Sequence, residues 1–299
     1  MRLVVTGRNG QVAQALGALA GEKLDIVFAA LPDLDLSRPA SVGPAIDALA
    51  PFDAVVSAAA WTAVDDAEAN PDAALRVNRD GAAAVAAVAA RHEVPVLHIS
   101  TDHVFSGDKP TPYIETDEPG PVNIYGASKL AGEAAVLAAN RRAIVLRTSW
   151  VWSTLGKNFA RTMLALGAER DTVKVVADQV GAPNYAPDLA RAIATVAQIA
   201  TTGQWRAHLG GVFHLSAQET MSWHGFAEAI FATSARHGGH RANVEPVATE
   251  GFPRPARRPA NSRLDAAKLA TVYDIRLRGA TAALDEAMPA LLGGIGKGA

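Results

Sequence analysis

The chain of 299 residues contains no cysteine. That excludes a disulfide framework and a thiolate metal site, and it fits a reducing compartment, so a cytoplasmic location is expected. There is no basic excess either: Lys plus Arg is 28 against 30 for Asp plus Glu, a net charge of −2. A general binder of nucleic acid or acidic membranes needs such an excess, so neither is expected as a partner. No apolar run approaches the roughly eighteen residues of a membrane helix. Met1-Arg2-Leu3-Val4-Val5-Thr6-Gly7 has too short an apolar stretch for a secretory signal and reads as a strand ending in a glycine turn. The 8 histidines are scattered without metal-ligand spacing, so no metal is expected. What is present is globular: 49% hydrophobic and 19% charged, with enough length for a full core.

Short apolar runs at Leu3–Val5, Asp25–Ala29, Asp53–Ser57, Pro95–Ser100 and Ala143–Arg147 read as buried strands. Helical spacing fills the intervals at Gln11–Leu19, Ser41–Leu49, Asp72–Ala90 and Tyr125–Ala139. This alternation predicts an α/β fold, a doubly wound parallel sheet of the Rossmann type. After Trp150 the rhythm breaks. A strand is expected near Lys174–Ala177 and another at Gly210–Ser216. Helices are expected at Ala186–Ala200 and, with Ser222 as N-cap, at Ser222–Ser234. Pro253, Pro255 and Pro259 forbid a regular helix there. The expected division is a dinucleotide-binding domain over 1–150, joined by 185–205, and a smaller α/β substrate-binding region over 151–184 and 206–299.

Thr6-Gly7-Arg8-Asn9-Gly10-Gln11-Val12-Ala13 joins the first strand to the first helix. Gly7 permits the turn, Gly10 lets the backbone approach a pyrophosphate, and small Ala13 allows helix–strand packing. The acidic ribose partner usual at the end of the second strand is missing, since Phe28, Ala29 and Ala30 stand there. Asp33 and Asp35 follow a little later, as adenine-side or solvated loop residues. Arg8 suits a 2′-phosphate. NADP(H) is therefore favoured, with NAD(H) as the alternative.

Ser100-Thr101-Asp102 ends the fourth strand, on the side where a doubly wound sheet binds ligands. Tyr125 and Lys129 follow at i and i+4, on one helical face. An ammonium beside a phenol favours the phenolate, so the expectation is a Tyr125 pKa lowered from about 10 toward neutrality. Such a tyrosine passes a proton to or from a carbonyl oxygen, which the Thr101 hydroxyl can polarise.

These residues resemble the extended branch of the short-chain dehydrogenase/reductase superfamily. Longer blocks narrow the resemblance: Ala58–Glu68, Tyr125–Glu133, Arg147–Val151, Asp178–Pro183 and Ala256–Ser262. Together they are similar to the dTDP-4-dehydrorhamnose reductase family. The resemblance implies hydride transfer from NAD(P)H to carbon 4 of a dTDP-linked 4-keto-6-deoxysugar, giving dTDP-L-rhamnose. It implies Tyr125 as proton donor, with Lys129 and Thr101 assisting. It places Gly10, Gln11, Val12, Asp35, Leu36, Ala60, Trp61 and Thr62 at the cofactor, and Thr101, Asp102 and Trp150 at the substrate. Arg257 and Arg258 offer forked donors for a diphosphate, and Asn261 and Ser262 either bind ligand or cap a helix.

Four positions depart from the family's common residues: Trp61, Asp66, Trp152 and Asn184, all expected near the site. Some relatives form magnesium-linked dimers through acidic residues, and the matching first-helix position is Ala15, which cannot ligate a hard cation. A monomer or weak homodimer is expected. The alternatives are a reductase, epimerase or dehydratase of another nucleotide-linked sugar, or a regulatory protein resembling the non-catalytic subunit of methionine adenosyltransferase. A dehydratase needs a further acid beside Asp102, and His103 stands there instead.

Overall fold

The computed structural model describes residues 1–295. At its centre lies a six-stranded sheet. Its first five strands in sequence are β1 (Arg2–Thr6), β2 (Asp25–Ala29), β3 (Ala54–Ser57), β4 (Val96–Thr101) and β5 (Ala143–Thr148). All pairings are parallel, in the order β2-β1-β3-β4-β5 followed by Gly211–His214. A parallel sheet is covered on both faces, which is why Ala54–Ser57 and Ala143–Thr148 are buried at every position. The strand order reverses between β1 and β3, and the ligand crevice of such a sheet opens at that point.

One face is packed by helix α1 (Gln11–Gly17) and the Ala186–Thr201 helix, whose Leu189, Ile193 and Val196 share a core with Leu3, Val5 and Leu16. The other face is covered around Val42, Ile46, Val85 and Val136. A second core lies between the helices Phe159–Glu169, Trp223–Arg236 and Ala280–Ile295, beside a two-stranded parallel pair, Thr172–Val176 with Asn243–Val247.

The chain position of the substrate region needs one correction. Gly211–His214 does not join the second core. It pairs with β5 and completes the large sheet, and Leu269, Tyr273 and Ile275 pack into the same core as that sheet. The physical reason is that β5 is too apolar on both faces to stand as an open edge. The helix expected over Asp72–Ala90 runs from Pro71 to Arg91 but widens to a π-helix at Arg76–Gly81.

Candidate active site

The carboxyl ends of the strands frame a cavity of about 600 Å³. β1 delivers the glycine loop, β3 leads to Ala58 and Ala60, β4 ends at Thr101, and β5 ends at Thr148. Gly7 has φ +78°, and a Cβ there would lie 3.1 Å from that of Ala59, so both the turn and the strand spacing require glycine. Gly10, Gln11 and Val12 line the cavity, as do Ala60 and Thr62. Gly10 stands at the N-cap of α1 without a side-chain cap, leaving first-turn amides for a ligand. Gln11 ties this loop to the far wall: its amide donates to the Val151 carbonyl at 3.3 Å and accepts from the Ser153 hydroxyl at 2.9 Å. Buried Thr148 Oγ1 and Asp102 Oδ2 have no partner and belong to residues of the same wall. Such a cradle fits a dinucleotide and a polar co-substrate side by side.

The helix Ile124–Ala139 enters the site at its first turn, where Asn123 Oδ1 accepts from the Gly126 amide at 2.8 Å. That cap fixes Tyr125 against the wall, edge-on to His103 at 5.4 Å. Thr101 and Asp102 meet it from β4, the Thr101 hydroxyl donating to Asp102 Oδ1 at 2.9 Å. Lys129, one turn on, is 2% exposed and donates to the Ile99 carbonyl at 2.6 Å. The expected fall in the Tyr125 pKa does not occur. Loss of solvent around the phenol pushes it up to about 12, contact with Thr101 works against that rise, and the Asp102 carboxylate adds to it. Burial also pulls Lys129 down to about 8, with the Glu133 charge opposing the fall. Sequence spacing put the two groups on one helical face but did not show the desolvation that dominates, and Lys129 is not among the groups that shift the phenol.

At the substrate end Trp150 lies flat on Trp223, ring centres 3.5 Å apart and planes within 8°. Its backbone has φ +45°, a strained value for a bulky residue. Gly181 makes room behind it, since a Cβ there would come within 2.6 Å of the indole. Two expected substrate residues are not brought to the cavity. Arg257 is exposed and faces Asp108 at 3.9 Å, while its carbonyl accepts from the Asn123 amide at 2.8 Å, turning the side chain outward. Its neighbour Arg258 lines the cavity instead, 3.0 Å from Asp65. Asn261 is spent on structure, donating to the carbonyls of Lys109 and Thr111 and accepting from Arg263, whereas Ser262 lines the cavity.

At the cofactor end Arg8 is exposed, with its guanidinium 5.6 Å from the Phe28 ring centre, beside the end of β2. Asp35 and Leu36 stand apart from the cavity wall. The Asp35 carboxylate accepts from Ser37 and from Arg38, Ser37 being the main reason its pKa is lowered, and Leu36 is core. Trp61 also stands apart from the wall, between Ala60 and Thr62 that line it, and its indole N–H donates to the Ala63 carbonyl. The residue that holds it is Asn78, within the π-helix, accepting from the Trp61 amide at 2.8 Å and donating to the Trp61 carbonyl and to Ser128 Oγ. Asn78, and Trp223 and Lys157 of the cavity lining, were not singled out from the sequence, whereas Gln179 of the lining lay in the Asp178–Pro183 block. Asn78 sits among Arg76, Arg79 and Asp80, so nothing in the sequence set it apart from a solvated helix face.

A family profile described as the RmlD substrate binding domain matches residues 1–292. A dTDP-4-dehydrorhamnose reductase from Sinorhizobium fredii is 47% identical over 277 residues, 93% of each chain. The chain belongs to the dTDP-4-dehydrorhamnose reductase family. Two solved reductases of that name share the fold. One, from Clostridium acetobutylicum, has TM-score 0.89 and 34% identity over 98% of this chain and 100% of its own. The other, from Bacillus anthracis in complex with NADP, has TM-score 0.88 and 34% identity over 96% of this chain and 98% of its own. Two of this reductase-family chain's departures from the common pattern are structural. Trp152 is 1% exposed in the second core, and Asn184 spans the carbonyls of Ser149 and Ala182 and the amide of Ala217. Trp61 and Asp66 are the departures that remain at or near the surface.

Proposed function

We propose that this oxidoreductase converts dTDP-4-dehydro-L-rhamnose to dTDP-L-rhamnose, preferring NADPH and also accepting NADH. The observation that carries the reading is the convergence of Thr101, Tyr125 and Lys129 on one wall with the unpartnered Asp102 Oδ2. The names of the relatives and the NADP in the Bacillus anthracis structure support it.

When bound, the reduced nicotinamide supplies hydride to the carbonyl carbon. Tyr125 supplies the proton. With its pKa at about 12 the phenol is fully protonated at neutral pH, the form that a reduction consumes. A sugar alkoxide is more basic than a phenolate, so the transfer runs downhill. Thr101 holds the carbonyl oxygen, and Asp102 Oδ2 accepts from a sugar hydroxyl. Lys129 keeps positive charge beside the forming phenolate. Arg258, aimed by Asp65, meets the diphosphate.

Two expectations follow. Lys129 loses its charge as pH rises through about 8, whereas Tyr125 stays protonated, so Lys129 sets the alkaline limb. Measured kcat/KM for reduction should be level below that pH and fall tenfold per unit above it; a limb above pH 10 would contradict the assignment. Arg8→Ala should raise KM for NADPH by about tenfold, the worth of a charge-assisted contact, and leave KM for NADH nearly unchanged. Equal effects on both would remove Arg8 from the 2′-phosphate.

The deciding assay supplies dTDP-4-keto-6-deoxy-D-glucose, a 3,5-epimerase and NADPH, follows nicotinamide absorbance, and identifies the sugar by NMR. Protein-dependent oxidation yielding dTDP-L-rhamnose is the expected result. Cofactor binding without oxidation would refute the substrate.

A further inference from the structure

His98 lies behind Lys129, on the side away from the cavity. It is 1% exposed, its Nδ1 is 3.1 Å from Ser57 Oγ, and its Nε2 is 3.3 Å from Lys129 Nζ. An ammonium has three donors and no lone pair, so the ring nitrogen facing it must accept. A neutral ring that accepts at Nε2 carries its proton on Nδ1, and that proton points to the Ser57 hydroxyl. Lys129 thus has one N–H on the Ile99 carbonyl, one on His98, and a third left for the cavity it lines.

We propose that His98, set in its Nδ1–H form by the ammonium it faces and with Ser57 accepting that proton, is a positioning residue that holds Lys129 charged and aims its remaining N–H into the site. The inference rests on the reductive role of Lys129 given above, and adds the group that makes the role workable. Burial alone would strip the ammonium of its proton, and a fixed acceptor opposes that. His98 itself is driven well below the usual histidine range by burial and by the Lys129 charge, so it stays an acceptor throughout the working pH range. The other titratable groups around the pair are few. Glu133 lies one turn on along the same helix and takes up Arg147 of β5; Tyr125 lies one turn back; Asp102 and His103 follow β4. β3 contributes Ser57, and the Arg79–Asp80 pair of the π-helix is at the surface.

The test begins with the unaltered protein. Nitrogen-15 NMR should find His98 neutral with its proton on Nδ1 from pH 6 to 9; a protonated ring or the Nε2–H form would overturn the inference. Next, the Lys129 side chain is titrated by NMR in wild type, His98→Leu and His98→Gln, with NADPH affinity measured in parallel. Removing a hydrogen bond to a charged group should move the Lys129 midpoint, and the alkaline limb of kcat/KM, down by about one pH unit. Gln, which can offer an acceptor near the Nε2 position, should restore most of it. Ser57→Ala removes only the acceptor of the Nδ1 proton, which anchors the ring, and should give a smaller shift of the same sign, which keeps a result in hand if His98→Leu does not fold. An unmoved Lys129 midpoint in all variants means that His98 only fills space, and the inference fails. A moved midpoint in a protein that reduces no dTDP-sugar leaves His98 in place and refutes the substrate reading instead.

Discussion

Tyr125→Phe is expected to fold, to bind NADPH with unchanged affinity, and to lose about 10²–10⁴-fold in turnover, the usual worth of one positioned acid. The phenol is the only group of the wall that is both protonated at neutral pH and on the same helix face as a buried cation. Thr101 carries an aliphatic hydroxyl, a far weaker acid than a phenol, so it can turn from Asp102 to hydrogen-bond the substrate oxygen but not protonate it. The ring itself packs edge-on to His103, and phenylalanine preserves that contact, so stability should change by less than about 1 kcal/mol. Single-turnover measurement with NADPH and substrate separates chemistry from release. A rate within threefold of wild type would assign the proton to another donor, and His103 would be examined next.

Glu133→Ala should be the most destabilising single change near the site, by about 3–5 kcal/mol, because it leaves a buried charge unpaired. Arg147 and Glu133 are 4% and 3% exposed and joined twice, Nε to Oε1 at 2.9 Å and Nη2 to Oε2 at 2.6 Å. Ser100 donates to the same carboxylate, and the guanidinium lies 5.0 Å from the Phe105 ring centre. Removing the carboxylate strands both donors in a site that water cannot reach. Urea unfolding should show the loss as a lower midpoint with an unchanged slope. Replacing both partners, Glu133→Leu with Arg147→Met, should recover most of it. A cost below 1 kcal/mol for the single variant would mean that the pair opens to solvent.

The sheet was legible because each of its first five strands is built on a short apolar run, broken only by His98 in β4, and part of the site followed where those runs end in small or hydroxyl residues. Thr101 stands at such an end, whereas Tyr125 and Lys129 were marked by their i, i+4 spacing on one helix, and all three line the cavity. Arg257 and Arg258 could not be told apart, because both sit in an irregular segment whose orientation depends on Asn123 and Asp65, more than a hundred residues away in sequence. Asn243–Val247 gave no strand signal, since Pro246 and alternating exposure mark an outer strand that only its partner Thr172–Val176 defines. The helix Ala280–Ile295 was obscured by Pro289 within it. Trp223 meets Trp150 only through the pairing of Met221–Ser222 with Val180–Gly181.

The place of Gly211–His214 has a consequence for how the chain is born. Synthesis proceeds from the N-terminus, so β5 leaves the ribosome more than sixty residues before the strand that covers it. Through that interval the nascent sheet ends in Ala-Ile-Val-Leu-Arg-Thr, an open template for pairing with another chain. The face of the sheet packed by α1 also waits for Leu189, Ile193 and Val196. A fragment stopped near residue 150 would hold Thr101, Tyr125 and Lys129 and still be a sticky, half-walled sheet.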